Sequence, residues 1–214
     1  LAHSLTAYAD IEWFLKQDYF MRVSDVESAF LLLPLHPDLW PFFLFRFFDT
    51  LESSDLTLYA HVCGDFGAAG MPGVFKIFFA DVVVNMARSL RVLTLPMAIY
   101  VDDNGLIGED RGQVDAEMSA FQSWAWEVCG VPFKALKDRM ASQVQLMLGF
   151  VWDSTTLTRT LPEKKLLQYV DMLTEMAGAD KLTVKDLQVV AGRMQRAIMT
   201  LPPGAACLFA PAAW

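Results

Sequence analysis

The chain has 214 residues, of which 54% are hydrophobic and 20% are charged, enough to bury one sizeable core and a smaller second one. No apolar run approaches the roughly 20 residues of a membrane span, and the start lacks the charged and then apolar pattern of a secretory signal. Three separated cysteines without a CxxC pair favour reduced thiols over a zinc site or a disulfide framework. We therefore expect an intracellular protein without a membrane partner, in the cytoplasm or the nucleus.

Charge is distributed unevenly along the chain, whose net charge is −8. Residues 1–129 carry 7 Lys and Arg against 18 Asp and Glu, a balance of −11, whereas residues 130–214 carry 10 against 7, a balance of +3. The acidic part suits metal binding and the basic part suits a phosphate backbone. Two ordinary solvated surfaces would give the same numbers, so charge alone leaves both interpretations open.

The first 90 residues predict a helix, a strand and a second, buried helix. Apolar side chains on one side indicate a short helix over Asp10–Tyr19, and Arg22–Asp25 predicts a short strand. Prolines break the apolar stretch Leu31–Phe48, which favours extended segments and turns. A glycine-rich loop over Gly64–Gly73 leads into Val74–Ser89, which is apolar almost all round, as expected of a buried helix.

A β-hairpin is predicted over Met97–Ile107. Its apolar strands flank the polar residues Asp102–Gly105, which have the composition of a hairpin turn. A helix follows from about Gln113, with Gly130 as its C-terminal cap. Leu146–Val151 predicts a further strand.

The last third of the chain is predicted to be mainly helical. Apolar side chains recur on one face of Pro162–Ala177. Thr183 and Asp186, three residues apart, form the pattern of a capping box for another helix. Because these helices follow a mixed α/β body, we expect a second subdomain to begin near residue 158.

The adjacent residues Asp102 and Asp103 are a poor choice for folding alone, since two carboxylates about 4 Å apart repel by on the order of 4 kcal/mol at an effective dielectric constant of 20. A divalent cation reverses the sign of that interaction, and carboxylate oxygens suit magnesium. Aspartate is also common in ordinary turns. A third acid, Asp25, ends another apolar strand. If the two strands are neighbours, the three carboxylates converge, and two magnesium ions there could activate a 3′-hydroxyl and stabilise pyrophosphate.

Tyr100-Val101-Asp102-Asp103 places a tyrosine two residues before the adjacent acids of the predicted hairpin. This run matches the YxDD motif, the most specific signature of reverse transcriptases, which the sequence resembles from about Ile11 to Pro211, nearly its whole length. Four further motifs follow the order of the family. They are Asp25-Val26-Glu27-Ser28-Ala29-Phe30, Phe66-Gly67 with Pro72 and Phe75, Gly130 through Lys137, and Leu148-Gly149-Phe150.

This resemblance implies an α+β fold, a right-hand polymerase palm in which helices back an antiparallel sheet. Residues 1–157 would form the palm with incomplete fingers, and residues 158–214 a small helical thumb. The implied function is RNA-directed DNA polymerisation, in which deoxynucleoside triphosphates are added to a primer 3′-hydroxyl on an RNA or DNA template.

The resemblance also implies roles for the matching residues. Asp25 and Asp102 would be the ligands of two Mg²⁺ ions, or of Mn²⁺ in their place. The Val26 carbonyl would help to hold them, and Asp103 would have a supporting role. Phe30 would be the steric gate against a ribose 2′-hydroxyl; a plain core aromatic is the alternative in a chain with 13% aromatic residues.

The remaining motif residues would contact the nucleotide and the primer. Phe66 and Gly67 would lie under the nascent base pair, with a plain glycine loop as the alternative. Lys137 would approach the triphosphate, and Lys134 is an equally charged neighbour. Leu148-Gly149-Phe150 would be the primer grip.

Finer features resemble the DIRS-like retrotransposons, which pair a reverse transcriptase with a tyrosine recombinase. Two positions depart from the family pattern: Asp65 stands where proline is usual, and Met71 where alanine is usual. Most of the fingers is missing, which indicates a portion of a longer polyprotein with those fingers and further domains as partners. The subgroup features are His36-Pro37, Leu161-Pro162 with Lys164-Lys165, and Leu187-Gln188 with Gly192.

Three functions therefore compete. The first is an RNA-directed DNA polymerase. The second is a catalytically weak or inactive reverse-transcriptase-like module that binds nucleic acid, favoured by Asp65 and the missing fingers. The third is an RNA-dependent RNA polymerase, against which Phe30 argues. Arg193 and Arg196, on the last predicted helix, fit either a phosphate contact or a solvated helix face.

Overall fold

A computed structural model of the chain describes residues 7–48, 56–136, 138–179 and 181–201. The chain divides into two compact units, Leu1–Ser142 and Gln143–Trp214. The predicted boundary between palm and thumb, at residues 157 and 158, concerns functional subdomains and stays a prediction. No helix within the described ranges is long and apolar enough to cross a lipid bilayer.

One sheet of the first unit consists of the antiparallel strands β1 (Phe20–Asp25), β4 (Met97–Tyr100) and β5 (Asp103–Gly108). Their order in the sheet is β1, β5, β4. All residues of β1 and β5 except the first of each are buried. Both faces of these two strands are therefore covered by other parts of the chain, as expected of strands at the centre of a fold.

Helices surround this sheet. One long helix consists of α2 (Met71–Lys76), a π-helical stretch (Ile77–Val84) and α3 (Asn85–Ser89). The next helix, α4, is capped by the Asp110 carboxylate, which accepts a bond from the amide of Gln113, and by the left-handed Gly130. The predicted helix ending at Gly130 is thus confirmed. The helix α4 covers Arg111–Cys129, and the described part of this unit also contains α1 (Ala7–Phe14).

Aromatic rings form much of the core between the long helix and α4. Phe79 stacks on Phe75 with ring centroids 5.6 Å apart, and it contacts Phe121 of α4 edge-on at 6.2 Å. Ile77 and Val82, on the same long helix, are 48% and 52% exposed. The prediction that this helix is buried all round is therefore wrong, because the core covers only one of its faces.

The prediction of turns and extended segments in place of helix over Leu31–Phe48 is confirmed for the strand at its end and wrong for the 3-10 helices before it. Two short 3-10 helices, Ala29–Leu32 and Pro37–Phe42, precede the strands β2 (Leu44–Phe48) and β3 (Leu56–Ala60). These two strands pair only with each other, as an antiparallel sheet. No residue of either strand is buried.

Over its described residues, the second unit combines a three-stranded sheet with two helices. Thr183 and Asp186 form the predicted capping box of its last helix, with bonds in both directions. Hydrogen bonds from the side chain and amide of Thr183 hold the pKa of the Asp186 carboxyl below its ordinary value. The elements are β6 (Val144–Met147), β7 (Phe150–Asp153), β8 (Thr158–Thr160), α5 (Glu163–Ala177) and α6 (Val184–Ile198).

A buried arginine joins β1 to α4 and to the segment after α4. The side chain of Arg22 is 7% exposed and grips Asp138 with two bonds, from Nε to Oδ1 at 3.0 Å and from Nη2 to Oδ2 at 2.7 Å. Its Nη1 donates to the Asp115 carbonyl and the Ser119 hydroxyl, each at 2.8 Å. Paired, forked geometry of this kind makes the arginine contact both strong and directional.

Replacing this arginine should destabilise the protein strongly. We expect Arg22→Ala to lower the free energy of unfolding by about 3–5 kcal/mol, because Asp138 would lose its partner while still largely covered. Arg111→Ala is the matched control: Arg111 is 60% exposed and lies 3.9 Å from Asp115, and exposed pairs contribute about 0–1 kcal/mol. Denaturant titration followed by fluorescence measures both. Equal losses in the two variants would contradict a special role for Arg22.

Candidate active site

The register between β1 and β5 decides where the acidic residues lie. Asp25, the last residue of β1, is opposite Asp103, the first residue of β5. Directly opposed residues in an antiparallel pair have Cβ atoms about 5 Å apart. One further bond, from the Val26 amide to the Asp102 carbonyl, extends the pairing at 2.9 Å. The structure therefore brings the backbones of the three predicted acids together.

The turn between β4 and β5 is tighter than predicted. Tyr100 pairs with Asp103, so Val101 and Asp102 alone form the turn. The prediction that Asp102–Gly105 form the tip is right for Asp102 and wrong for the other three residues, which lie in β5. Val101 has a φ of 53°, and a left-handed conformation of this kind costs a β-branched residue on the order of 1–3 kcal/mol.

Asn104 explains why β5 begins so early. Its side chain is buried, and its Oδ1 accepts a bond from the Ser24 hydroxyl at 2.7 Å. Its Nδ2 donates to the Asp102 carbonyl at 3.2 Å. A buried amide needs partners on both ends, and Ser24 is within reach because it lies opposite Asn104 in the sheet.

Asp25 is buried, and a lysine lies against it. Asp25 has a side-chain exposure of 1%, and its Oδ1 is 2.5 Å from the Nζ of Lys134. The backbone amide of Lys134 also donates to the Asp25 carbonyl at 2.9 Å, next to an antiparallel bridge between Val26 and Phe133. A carboxylate at this depth requires a positive partner, and Lys134 supplies it.

From the sequence, Lys134 is expected only to be a neighbour of Lys137 with an equal charge. Its contact with Asp25 depends on a bridge between two segments more than a hundred residues apart, which no local pattern reveals. Pro132 favours an extended backbone at Val131, but it does not indicate the partner of this segment. Lys137 lies outside the described residues, so its predicted approach to a triphosphate stays a prediction.

The oxygen chemistry and the strand register of this site fit a divalent cation. The side-chain positions do not fit a divalent cation, since no three His, Cys, Asp or Glu side chains among the described residues are grouped to hold one metal ion. The positive charge beside Asp25 is the ammonium group of Lys134. Binding of a metal at Asp25 would therefore require side-chain movement, whereas the backbone could stay in place.

Phe30 lies in the helical turn Ala29–Leu32 and is 7% exposed. Its ring packs edge-on against Phe66, with centroids 4.9 Å apart, and against Phe75, at 6.2 Å. It belongs to the hydrophobic core of the first unit, as the plain interpretation expects, and it also touches the predicted nucleotide-binding loop. The steric-gate role stays a prediction.

Two chain segments approach closely where that loop begins. The amide of Gly64 donates to the Leu33 carbonyl at 2.8 Å, and a Cβ on Gly64 would lie 2.8 Å from the Phe30 carbonyl oxygen. This approach sets Phe66, which is 72% exposed, against Phe30. The next residue, Gly67, has a φ of 100°.

The two departures from the family pattern are accommodated locally. One oxygen of Asp65 lies 3.3 Å from Nε2 of His61, and the other accepts a bond from the Phe66 amide at 2.7 Å. Met71, the first residue of α2, places its sulfur 2.6 Å from where a Cβ on Gly64 would be. The missing side chain at Gly64 therefore leaves room for the larger residue at position 71.

In the second unit, the predicted primer-grip residues form a hairpin turn. Met147 pairs with Phe150, which leaves Leu148 and Gly149 as a two-residue turn with φ values of 54° and 75°. Two left-handed residues are typical of a type I′ turn, whose twist matches that of the flanking strands. The prediction of one continuous strand over Leu146–Val151 is therefore wrong.

Two arginines contact this hairpin. Arg196 of α6 donates to the Leu148 carbonyl at 2.7 Å, and its guanidinium lies 5.0 Å from the ring centroid of the buried Phe150. Arg159 of β8 lies 5.5 Å from the same centroid. The interpretation of Arg196 as part of a solvated helix face is therefore wrong, since its guanidinium packs on the hairpin.

Comparison with known proteins agrees with this architecture. No family model matches the sequence, and no curated protein does. Solved structures of foamy viral protease-reverse transcriptase are similar to it. One, with double-stranded DNA and called dRH, gives a TM-score of 0.69 at 16% identity over 92% of this chain. A complex with an RNA/DNA hybrid gives a TM-score of 0.64 at 17% identity over 87% of this chain. A complex with double-stranded DNA gives a TM-score of 0.64 at 16% identity over 92% of this chain.

The chain has a reverse-transcriptase fold. The predicted α+β architecture, with helices backing an antiparallel sheet, is thereby confirmed. The chain spans 30%, 22% and 36% of the lengths of the three similar proteins. Within this reverse-transcriptase fold, the first unit contains the three acids and the Phe66 loop, and the second contains the arginine-bound hairpin.

The turn at Gly149 gives a direct test of the hairpin. We expect Gly149→Ala to lower the free energy of unfolding by about 1–3 kcal/mol, because a Cβ there is strained at positive φ and would collide with Nη2 of Arg196. Gly192→Ala is the matched control in α6, where a Cβ meets nothing within 4 Å, so it should stabilise the helix by about 1 kcal/mol. Thermal and denaturant unfolding of both variants measure this. A neutral Gly149→Ala would contradict the proposed turn.

Proposed function

We propose that the chain is the catalytic module of an RNA-directed DNA polymerase, which adds deoxynucleotides to a primer 3′-hydroxyl on an RNA or DNA template. The observation that carries this proposal is the register of β1 and β5, with Asp25 opposite Asp103 and the Val26 amide bonded to the Asp102 carbonyl. Strand pairing thus brings the backbones of three acidic residues from two distant motifs together, and carboxylates that converge there would repel one another without a cation.

A nucleic acid partner is supported by the similar structures. Their titles describe foamy viral protease-reverse transcriptase in complex with double-stranded DNA or with an RNA/DNA hybrid. We infer that this chain likewise binds a primer–template. The hairpin Leu148-Gly149-Phe150 would face the primer, and Phe66 and Gly67 would support the nascent base pair.

We propose that Asp25, Asp102, Asp103 and the Val26 carbonyl hold two Mg²⁺ ions, for which Mn²⁺ could substitute. When bound, these ions would supply the positive charge that activates the 3′-hydroxyl and stabilises the leaving pyrophosphate. The protein's contribution is rigidity. Asp25 is fixed by strand pairing, and the Asp102 carbonyl accepts bonds from both Val26 and Asn104. Lys137 would add charge near the triphosphate.

The module would belong to a DIRS-like retroelement and act within a longer polyprotein. The subgroup rests on the sequence features at 36–37, 161–165 and 187–192. In that setting residues 1–157 would act as palm with partial fingers and residues 158–214 as thumb, with fingers and further domains supplied by the rest of the polyprotein.

Removing one acid tests the catalytic proposal. In the polyprotein context, Asp102→Asn should lower the rate of magnesium-dependent primer extension on the order of a hundredfold or more, since metal stabilisation of the transition state contributes several kcal/mol and each 1.4 kcal/mol is a factor of ten. Glu27→Gln removes an exposed acid of the first motif and should extend primers normally. A primer-extension rate in Asp102→Asn equal to that of the wild type would refute the proposal.

The identity of the sugar tests Phe30. Phe30→Val should increase incorporation of ribonucleotides relative to deoxynucleotides by roughly tenfold to a hundredfold, because the ring would no longer occupy the space of a 2′-hydroxyl. Phe75→Val is the control, since this ring contacts Phe30 and is fully buried; it should cost stability without changing the ratio. A wild-type preference for ribonucleotides would instead indicate an RNA-dependent RNA polymerase.

One observation favours a second candidate, a reverse-transcriptase-like module that binds nucleic acid without catalysis. Lys134 already neutralises Asp25, and no metal-ready group of three side chains exists among the described residues. This candidate expects the same affinity for a labelled primer–template in magnesium and in chelator, measured by fluorescence anisotropy, and no nucleotide incorporation. Incorporation that is lost in Asp102→Asn would exclude it.

A further inference from the structure

The ion pair between Lys134 and Asp25 is unequal in burial. The carboxylate is 1% exposed, whereas the lysine side chain is 38% exposed. Their closest atoms, Nζ and Oδ1, are 2.5 Å apart. The carboxylate therefore cannot leave its position without disturbing the fold, but the lysine side chain has a path to solvent.

The backbone of Lys134 is fixed next to its partner. Its amide donates to the Asp25 carbonyl at 2.9 Å, and Phe133 bridges Val26. Only side-chain rotation is thus needed to break the ion pair. A cavity of about 430 Å³, lined by Lys134 and Asp138 among others, lies beside it and offers space for the displaced ammonium group.

We propose that Lys134 is an internal counter-ion that occupies the Asp25 carboxylate and that a divalent metal ion must displace to bind there. This inference rests on the proposed function, which supplies the divalent metal ion at Asp25. Magnesium binds carboxylate oxygen at about 2.0–2.1 Å, and an ammonium group on the same oxygen would repel it strongly. Lys134 and the metal therefore compete for Oδ1 of Asp25.

Competition of this kind lowers the apparent affinity for metal by the fraction of molecules in which Asp25 is accessible. If the ion pair is formed in nine molecules of ten, removing the lysine should tighten metal binding about tenfold. The effect should require Asp25 itself. If the effect were only general electrostatic attraction of the metal ion, the loss of any nearby positive charge would tighten metal binding equally.

The first experiment is a calorimetric titration of the purified protein with magnesium chloride. Lys134→Met should bind magnesium at least about tenfold more tightly than wild type. Arg139→Met, which removes an exposed charge from the same segment, should bind like wild type. In an Asp25→Asn background, Lys134→Met should have no effect. Equal tightening in Lys134→Met and Arg139→Met, or none in either, would overturn the proposal.

A second measurement uses the wild-type protein and so does not depend on the folding of a variant. Acetylation of lysines by a small reagent, followed by mass spectrometry, should show Lys134 becoming several-fold more reactive when magnesium chloride is added. Lys76, which is 48% exposed and pairs with Asp81, serves as the internal reference and should not change. Unchanged reactivity of Lys134 in saturating magnesium would overturn the counter-ion role.

These outcomes are separate from the fate of the polymerase proposal. Magnesium binding that is insensitive to Lys134, together with primer extension lost in Asp102→Asn, would remove the counter-ion role and leave the polymerase. Release of Lys134 by magnesium without any nucleotide incorporation would keep the counter-ion role and remove the polymerase.

Discussion

The pairing of β1 with β5 is the constraint on which the site in the first unit depends. Side chains alternate along a strand, so a slip of one residue would turn every side chain of β1 to the other face. The register is held by specific groups as well as by apolar burial, since Ser24 bonds its cross-strand partner Asn104. With this register fixed, Asp25 faces Asp103, and the Val26 amide reaches the Asp102 carbonyl.

The segment that follows α4 connects stability to the site. It carries Asp138, which accepts two bonds from the buried Arg22, and Lys134, which pairs with Asp25. Arg22 and Asp25 lie on the same strand, three residues apart. Each of these buried charges is compensated from the same stretch of chain, as buried charges must be. Loss of the Arg22 contacts would therefore free the segment that positions Lys134.

Both hairpins predicted to be functional contain strained turns. Val101 in the first unit and Leu148 in the second adopt left-handed conformations that glycine or asparagine adopts more easily. Hydrogen bonds to a carbonyl group hold each strained turn. In the first unit, Val26 and Asn104 donate to the Asp102 carbonyl, and in the second unit Arg196 donates to the Leu148 carbonyl. Backbone strain persists where surrounding contacts outweigh it, and such places are frequently functional.

The sequence by itself determined the helix ending at Gly130 and the capping box at Thr183, because caps and periodicity are local signals. Its resemblance to reverse transcriptases implied the α+β class. The sequence also identified the acidic motifs. Only the tertiary structure decided that the hairpin tip is at Val101 and that Lys134 contacts Asp25. These features depend on cross-strand partners, Ser24 and Val26, which lie some 80 residues or more away along the chain. A local pattern records which face a residue prefers, but only the folded chain decides what lies opposite it.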